Sequence, residues 1–271
     1  MMPLGSAQLR RRLLSGTHHQ NLLARSQFKA YRDQFSSVEG FFSDDSQAVW
    51  DFLLATQEGH AIAGGFMEIG VWRGKSAYLG AMHAGPLESI VLVDVNDVAE
   101  VTERIRSFHP ENVSAVTGRS SSLFRANQEY AEHRGTMRFF HVDGGHSCFG
   151  TFTDIVIASE MVGDRGLISI DDFGNMRYPQ LHAAIYKFLF ERPDFMMVLC
   201  GANKAYLCRT EDFAFYDHQI REHLVPHVTA LGCPLTLART SYAHDYGCFA
   251  VQPPGGPPLV GRDEDPEDIV F

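Results

Sequence analysis

The chain has 271 residues, of which 45% are hydrophobic and 21% charged, the balance of a soluble globular protein with one large core or a core plus a small cap. That composition excludes a disordered, collagenous or coiled-coil chain, and no apolar run approaches the roughly 20 residues a membrane helix needs. The formal net charge of −10 argues against a nucleic-acid partner.

Residues 1–35 predict a basic arm and then a short helix around Asn21–Gln34, and the opening MMPLGSAQLRRRLLSG lacks the apolar stretch and cleavage site of a secretory signal. Ser46 is placed to cap a helix running to about Gln57, whose apolar side chains Trp50, Phe52 and Leu53 suit a lid or a dimer contact. Strands are predicted at Phe66–Val71, Ser89–Val93, Val113–Thr117, Met137–Val142 and Gly166–Ile170. Between them helices are predicted from Lys75, over Val98–Phe108, over Ser122–His133 and over Thr151–Met161, with another at Leu181–Phe190. Phe195–Leu199 and Lys204–Cys208 flank Gly201-Ala202-Asn203 and predict a hairpin. Such alternation gives an α/β fold, with a seven-stranded, mostly parallel sheet, helices on both faces and one antiparallel strand. Residues 213–231 read as helical, and Leu235–Val251 has room for two short strands. The chain thus divides into an N-terminal arm and helical cap (1–60), a core (61–212), a C-terminal helix with strands packed on it (213–252) and a Pro/Gly-rich, then acidic tail read as disordered (253–271). Cys148, Cys200, Cys208, Cys233 and Cys248 are an odd set without a C-x-x-C pair. They read as reduced thiols of a cytoplasmic protein.

In an open parallel sheet, ligands bind beyond the carboxyl ends of the strands, and four such ends here carry acids or glycines. The first is Glu68-Ile69-Gly70-Val71-Trp72-Arg73-Gly74-Lys75-Ser76, spaced E-x-G-x-x-x-G rather than the G-x-G-x-x-G of dinucleotide binders. Gly70 and Gly74 let a backbone approach a ligand closely, although a tight strand–helix turn needs glycines anyway; Glu68 would repel a pyrophosphate and attract a cation. The second is Asp94, placed either to accept both hydroxyls of a ribose or to cap the next helix. The third is His141-Val142-Asp143-Gly144-Gly145-His146-Ser147. Histidine is suited to general-base work because its unperturbed pKa is about 6.5; alternatively His146 caps or packs against the following helix. The fourth, Asp171-Asp172, places adjacent carboxylates at a buried strand end, which calls for a cation or strong donors unless the loop is simply solvated. Oxygen ligands from Asp143, Asp171 and Asp172 suit Mg²⁺, Mn²⁺ or Ca²⁺ better than Zn²⁺. Adjacent strand residues face opposite sides, so both aspartates reach one ion only if the strand has ended by Asp172.

These motifs, in this order, resemble the Rossmann-like class I S-adenosylmethionine-dependent methyltransferases over roughly residues 60–210. EIGVWRGKS is similar to the first motif of metal-dependent O-methyltransferases, and HVDGGHS followed by ISIDDFGN is most similar to the macrocin O-methyltransferase group, which methylates sugar hydroxyls of natural products. The resemblance implies a cofactor pocket of Glu68, Gly70, Gly74 and Ser76 in the first turn, Asp94 on the ribose, Thr117, Gly118 and Ser120 near the adenine, and Asp143. It implies Asp143, Asp171 and Asp172 as ligands of Mg²⁺ or Mn²⁺, and His146 as the base. Phe173, Arg177 and Tyr178 are placed to touch the substrate or simply to pack. Catechol-type relatives carry lysine at the position of His146 and usually asparagine at that of Asp172, departures that favour a sugar hydroxyl. The alternatives are a phenolic O-methyltransferase on the same frame, a nicotinamide-dependent oxidoreductase, and a non-catalytic nucleoside-binding protein. The expected partner is a small-molecule hydroxyl substrate, with neither nucleic acid nor membrane involved and a homo-oligomer left open.

Overall fold

A computed structural model describes residues 20–122, 128–240, 248–255 and 268–270. Ten strands form a single mixed sheet: β1 Gly65–Ile69, β2 Ile90–Asp94, β3 Val113–Thr117, β4 Met137–Val142, β5 Val162–Ile170, β6 Phe195–Gly201, β7 Lys204–Arg209, β8 Thr236–Thr240, β9 Phe249–Gln252 and β10 Asp268–Val270. Their order is β10-β8-β9-β6-β7-β5-β4-β1-β2-β3. β1 to β5 are parallel. The hairpin turns on Ala202 and Asn203, both with positive φ (48° and 67°), the backbone twist a two-residue hairpin needs. It inserts β7 antiparallel between β5 and β6.

The strand count departs from the seven expected, and two strands rather than one, β7 and β8, run against the rest. The cause is the outer edge of β6, whose backbone groups would otherwise be left unpaired. β9 pairs with that edge in parallel and β8 pairs with β9. The segment read as a disordered tail supplies β10 beside β8.

Strands β1, β2 and β4 are buried along their whole length, so successive side chains feed two separate cores. Phe66, Leu92 and Phe139 enter one core. Met67, Val93 and Phe140 enter the other. The α-helices bounded wholly within the described residues are α1 Phe28–Phe35, α2 Asp44–Gly59, α3 Lys75–His83, α4 Ala99–Arg106, α5 Cys148–Met161, α6 Gln180–Glu191, α7 Phe213–Gln219 and α8 Val225–Ala230, and Gln128–His133 and Thr210–Asp212 are 3-10 turns. A π-helical turn, Ile220–Leu224, joins α7 to α8. None is long and apolar enough to cross a membrane. The cap of α2 is Ser43, whose side chain accepts from Ser46 N; Asp44 and Asp45 then occupy the first turn, where the helix dipole favours negative charge. Trp50, Phe52 and Leu53 are completely buried in the chain's own first core, so that face of α2 is neither a lid nor a dimer contact.

A buried carboxylate fastens these helices. Asp51 Oδ1 accepts from Gln27 N at 2.7 Å and lies 3.1 Å from His83 Nε2, and Oδ2 lies 2.8 Å from His227 Nε2. His83 Nδ1 in turn lies 2.5 Å from Glu58 Oε1. Burial alone would raise the Asp51 pKa, but the hydrogen bonds and charges of His227 and His83 more than reverse it and hold the carboxyl well below its usual range. For His83, burial opposes the charge and the bonds from Asp51 and Glu58 outweigh it, raising its pKa. Asp51 therefore stabilises the fold fully above its unfolded pKa, and that contribution is lost as pH falls through the lower folded value. The contribution of His83 is fully present below its unfolded pKa and is lost as pH rises through the folded one. Asp51→Asn is expected to cost about 2 kcal/mol at neutral pH and to flatten the acid limb of the stability curve. Urea unfolding at a series of pH values checks both; an unchanged acid limb would show that Asp51 does not carry that limb.

Candidate active site

The turn after β1 is shaped by two glycines. Gly70 has φ +90°, and a Cβ there would lie 1.8 Å from the Asp143 carbonyl oxygen, because the ends of β1 and β4 are joined by Asp143 N donating to Ile69 O at 2.8 Å. Gly74 caps α3 with φ +77°, and a Cβ would strike Val101 at 2.4 Å. Asp94, at the end of β2, braces this turn: Oδ2 accepts from Trp72 N and Oδ1 from Asn96 N, both at 2.8 Å. It does not cap the next helix; Asp97 Oδ1 accepts from Ala99 N instead.

Behind the turn runs a buried chain of polar groups. Ser76 Oγ donates to Glu68 Oε1 at 2.5 Å, and the same oxygen lies 2.6 Å from His141 Nδ1. Lys204 Nζ donates to His141 Nε2 at 3.1 Å and pairs with Asp171 Oδ2 at 2.7 Å. Its ammonium also sits over the rings of Phe42 and Trp50, at 5.4 and 5.5 Å. Burial pushes Glu68 up to about 8, with the Ser76 bond and the Lys204 charge offsetting it only in part. Burial, then the Lys204 charge, holds His141 well below its ordinary value. A neutral imidazole that accepts from Lys204 at Nε2 must donate from Nδ1 to Glu68, which fixes its tautomer.

At the next strand end β5 has finished at Ile170, and Asp172 adopts φ 59°. That left-handed residue breaks the strand alternation and sends the two acids different ways. Asp171 turns to Lys204, while its Oδ1 accepts from Asp172 N and Asn203 Nδ2. Asp172 Oδ1 accepts from Asn175 Nδ2 and Asn203 Nδ2, both at 3.0 Å, and Oδ2 lies 2.7 Å from His146 Nε2. Burial would raise the Asp172 pKa, but those amide bonds and His146 outweigh it and lower it. The Asp143 carboxyl is pushed well above its usual range, by burial first and then by the charge of Asp171. Ligand atoms of Asp143, His146 and Asp172 lie within 4.8 Å of one another. Asp171 is not in that group and pairs with Lys204, although all three acids of the expected Asp143–Asp171–Asp172 trio line the same cavity. His146 does not cap α5, a role taken by Ser147. A second group, Glu68, His141 and Asp143, has the Lys204 ammonium against it, which opposes a cation there.

These features open on one cavity of about 940 Å³. Gly70, Ser76, Asp94, Gly118, Ser120 and Asp143 line it, and so do His146, Asp171, Asp172, Arg177 and Tyr178. Glu68, Gly74, Thr117 and Phe173 do not: Glu68 lies behind Ser76, Gly74 packs on Val101, and Phe173 sits against His182 and the second core. Sequence reasoning gave no role to Lys204, Asn203, His141 or Asp154. The carboxyl of Asp154, whose Oδ1 accepts from Ser120 Oγ at 2.5 Å, is raised to about 6 by burial, against that bond. The signal for Asn203 was its place in a two-residue turn between apolar runs; for buried Lys204 there was none.

Residues 67–173 match the family described as a methyltransferase domain. No curated protein matches the chain. Among solved structures, the O-methyltransferase NovP is 16% identical, with 73% of this chain and 99% of that one covered and a TM-score of 0.50. The MycE methyltransferase of the mycinamycin biosynthetic pathway, in complex with Mg and SAH, is 15% identical with a TM-score of 0.52. That likeness covers 68% of this chain and 54% of MycE. A Corynebacterium glutamicum protein is 13% identical over 69% of this chain and 89% of that one, with a TM-score of 0.51. At these identities the likeness is one of fold.

Proposed function

We propose, from the methyltransferase domain that this chain carries over residues 67–173, that the protein is an S-adenosylmethionine- and divalent-metal-dependent O-methyltransferase acting on a small-molecule hydroxyl, that of a sugar on a glycosylated natural product. The observation that carries this reading is the His146–Asp172 pair at 2.7 Å, which shares one cavity with Asp143 and the glycine turn. The five free thiols go with a cytoplasmic setting.

The residues suit the two groups this reading needs. Gly70, where a Cβ would collide with the Asp143 backbone, Ser76 and Asp94 line the cavity at the first turn and would face a nucleoside there. S-adenosylmethionine, when bound, supplies a methyl on a sulfonium. Asp143 and Asp172 would hold Mg²⁺ or Mn²⁺, because two carboxylates are a common protein share of such a site; the ion supplies positive charge that acidifies a nearby hydroxyl.

The chain's own chemistry centres on His146. With Nε2 bonded to Asp172, Nδ1 has no hydrogen bond among the described residues and is the basic nitrogen for the acceptor proton. Asp172 orients the ring and stabilises the imidazolium that results. Tyr178, stacked on the imidazole with centroids 4.1 Å apart, limits its rotation. Lys204 pairs with Asp171 alone, while Asn203 Nδ2 donates to both Asp171 and Asp172.

Calorimetric titration with S-adenosylhomocysteine tests the reading, with NAD as control, in Mg²⁺ and again in EDTA. Homocysteine-nucleoside binding without NAD binding is expected, together with a Mg²⁺-dependent heat on adding a vicinal diol. Binding of NAD alone points to the oxidoreductase, and binding of neither removes the methyl-transfer reading.

A further inference from the structure

An exposed aromatic side chain is ordinary when it stands alone; several around one cavity mark a binding surface. Of the nine large hydrophobic side chains exposed among the described residues, four line this cavity: Phe41 (91% exposed), Trp72 (43%), Val95 (64%) and Phe149 (72%). The Phe41 and Trp72 rings are parallel within 9°, with centroids 5.9 Å apart, so they form one offset, continuous apolar wall.

The backbone holds this wall outward. Trp72 has φ 47°, an uncommon conformation for a bulky side chain, and its N–H is fixed on Asp94. Phe42, next to Phe41, is buried edge-on against Trp50 at 4.9 Å and under the Lys204 ammonium. Lys75 Nζ donates to Gly40 O at 3.4 Å. The loop is therefore anchored on its inner side while Phe41 stands in solvent. On the other strand ends, Tyr178 carries aromatic surface up to His146. A cavity of about 940 Å³ lies near the top of the roughly 300–1,000 Å³ range for small-molecule sites, which leaves room beside a nucleoside for an acceptor larger than one sugar.

We propose that the acceptor carries a flat, apolar, aromatic group that lies against the Phe41–Trp72 wall while its hydroxyl-bearing ring reaches His146. This substrate class rests on the methyl-transfer reading, and the wall selects it by apolar contact and ring stacking.

The test uses the full chain saturated with S-adenosylhomocysteine and Mg²⁺, titrated with a set of 4-nitrophenyl glycosides and with the matching methyl glycosides. The nitrophenyl compounds should bind about tenfold more tightly and quench tryptophan fluorescence through Trp72, since the chain's other tryptophan, Trp50, is completely buried. Phe41→Ala, at a solvent-exposed position, should remove that preference and leave methyl-glycoside affinity as it was. Equal affinities in the unaltered chain, a preference that survives Phe41→Ala, or no binding of any aromatic glycoside at millimolar concentration each overturn the proposal. The initial S-adenosylhomocysteine titration separates the two failures: its absence removes the methyl-transfer reading, whereas its presence without an aromatic preference removes only this one.

Discussion

His146→Ala is expected to lower methyl-transfer turnover by about 10²–10⁴-fold and to leave S-adenosylhomocysteine affinity unchanged. The ring lies 2.7 Å from Asp172 Oδ2 and lines the cavity. On the proposed reading its removal deletes the proton acceptor without disturbing the Gly70–Ser76 turn or Asp94, which belong to other strand ends. Asp172→Asn is the informative companion: it keeps the side-chain shape and the φ 59° backbone but removes the charge that stabilises an imidazolium. Its turnover should fall as well. Stopped-flow single turnovers with the cofactor pre-bound separate chemistry from binding. If affinity and turnover fell together in His146→Ala, the base assignment would be wrong and the ring would belong to the cofactor site.

Lys204→Met is expected to cost about 3–5 kcal/mol, because it leaves the Asp171 charge buried without its partner. Lys204 is 1% exposed and serves Asp171 and His141 at once. For a chain of this size the melting temperature should drop by roughly 10 °C. Lys204→Met combined with Asp171→Asn should recover most of that loss, since a buried pair replaced as a whole is often nearly neutral. The coupling comes from the four members of the cycle, measured by denaturant unfolding. A double variant no more stable than Lys204→Met alone would show that the pair is not coupled, and would reopen Asp171 as a metal ligand.

How far the site was legible in the sequence depended on where each residue lies relative to a strand end. Asp94, Asp143 and His146 were placed on the cavity because a carboxyl end of a parallel strand is a place that pattern alone locates. Asp171 was located correctly, but its partner was not. Lys204 follows the hairpin turn, 33 positions later in the chain, and meets Asp171 only because β7 pairs antiparallel with β5, Ile170 opposite Ala205. The resemblance implies Glu68 as a pocket residue, yet full burial sets it behind Ser76 and off the cavity wall. Phe42 and Phe41 are adjacent aromatics of the same kind; one is core and the other solvent-exposed, a difference set by the Trp50 and Lys204 surfaces beneath them.

By itself the sequence determined the α/β class, the first five strands, the glycine turn and the acids at the strand ends, because these follow from local periodicity and from backbone conformations that few residues adopt. Only the tertiary structure decided which acid meets His146 and which pairs with Lys204, which aromatic faces the cavity, and how the C-terminal segment covers the edge of β6. Those outcomes depend on register and burial between distant segments, where a shift of one residue in strand pairing turns every side chain to the other face.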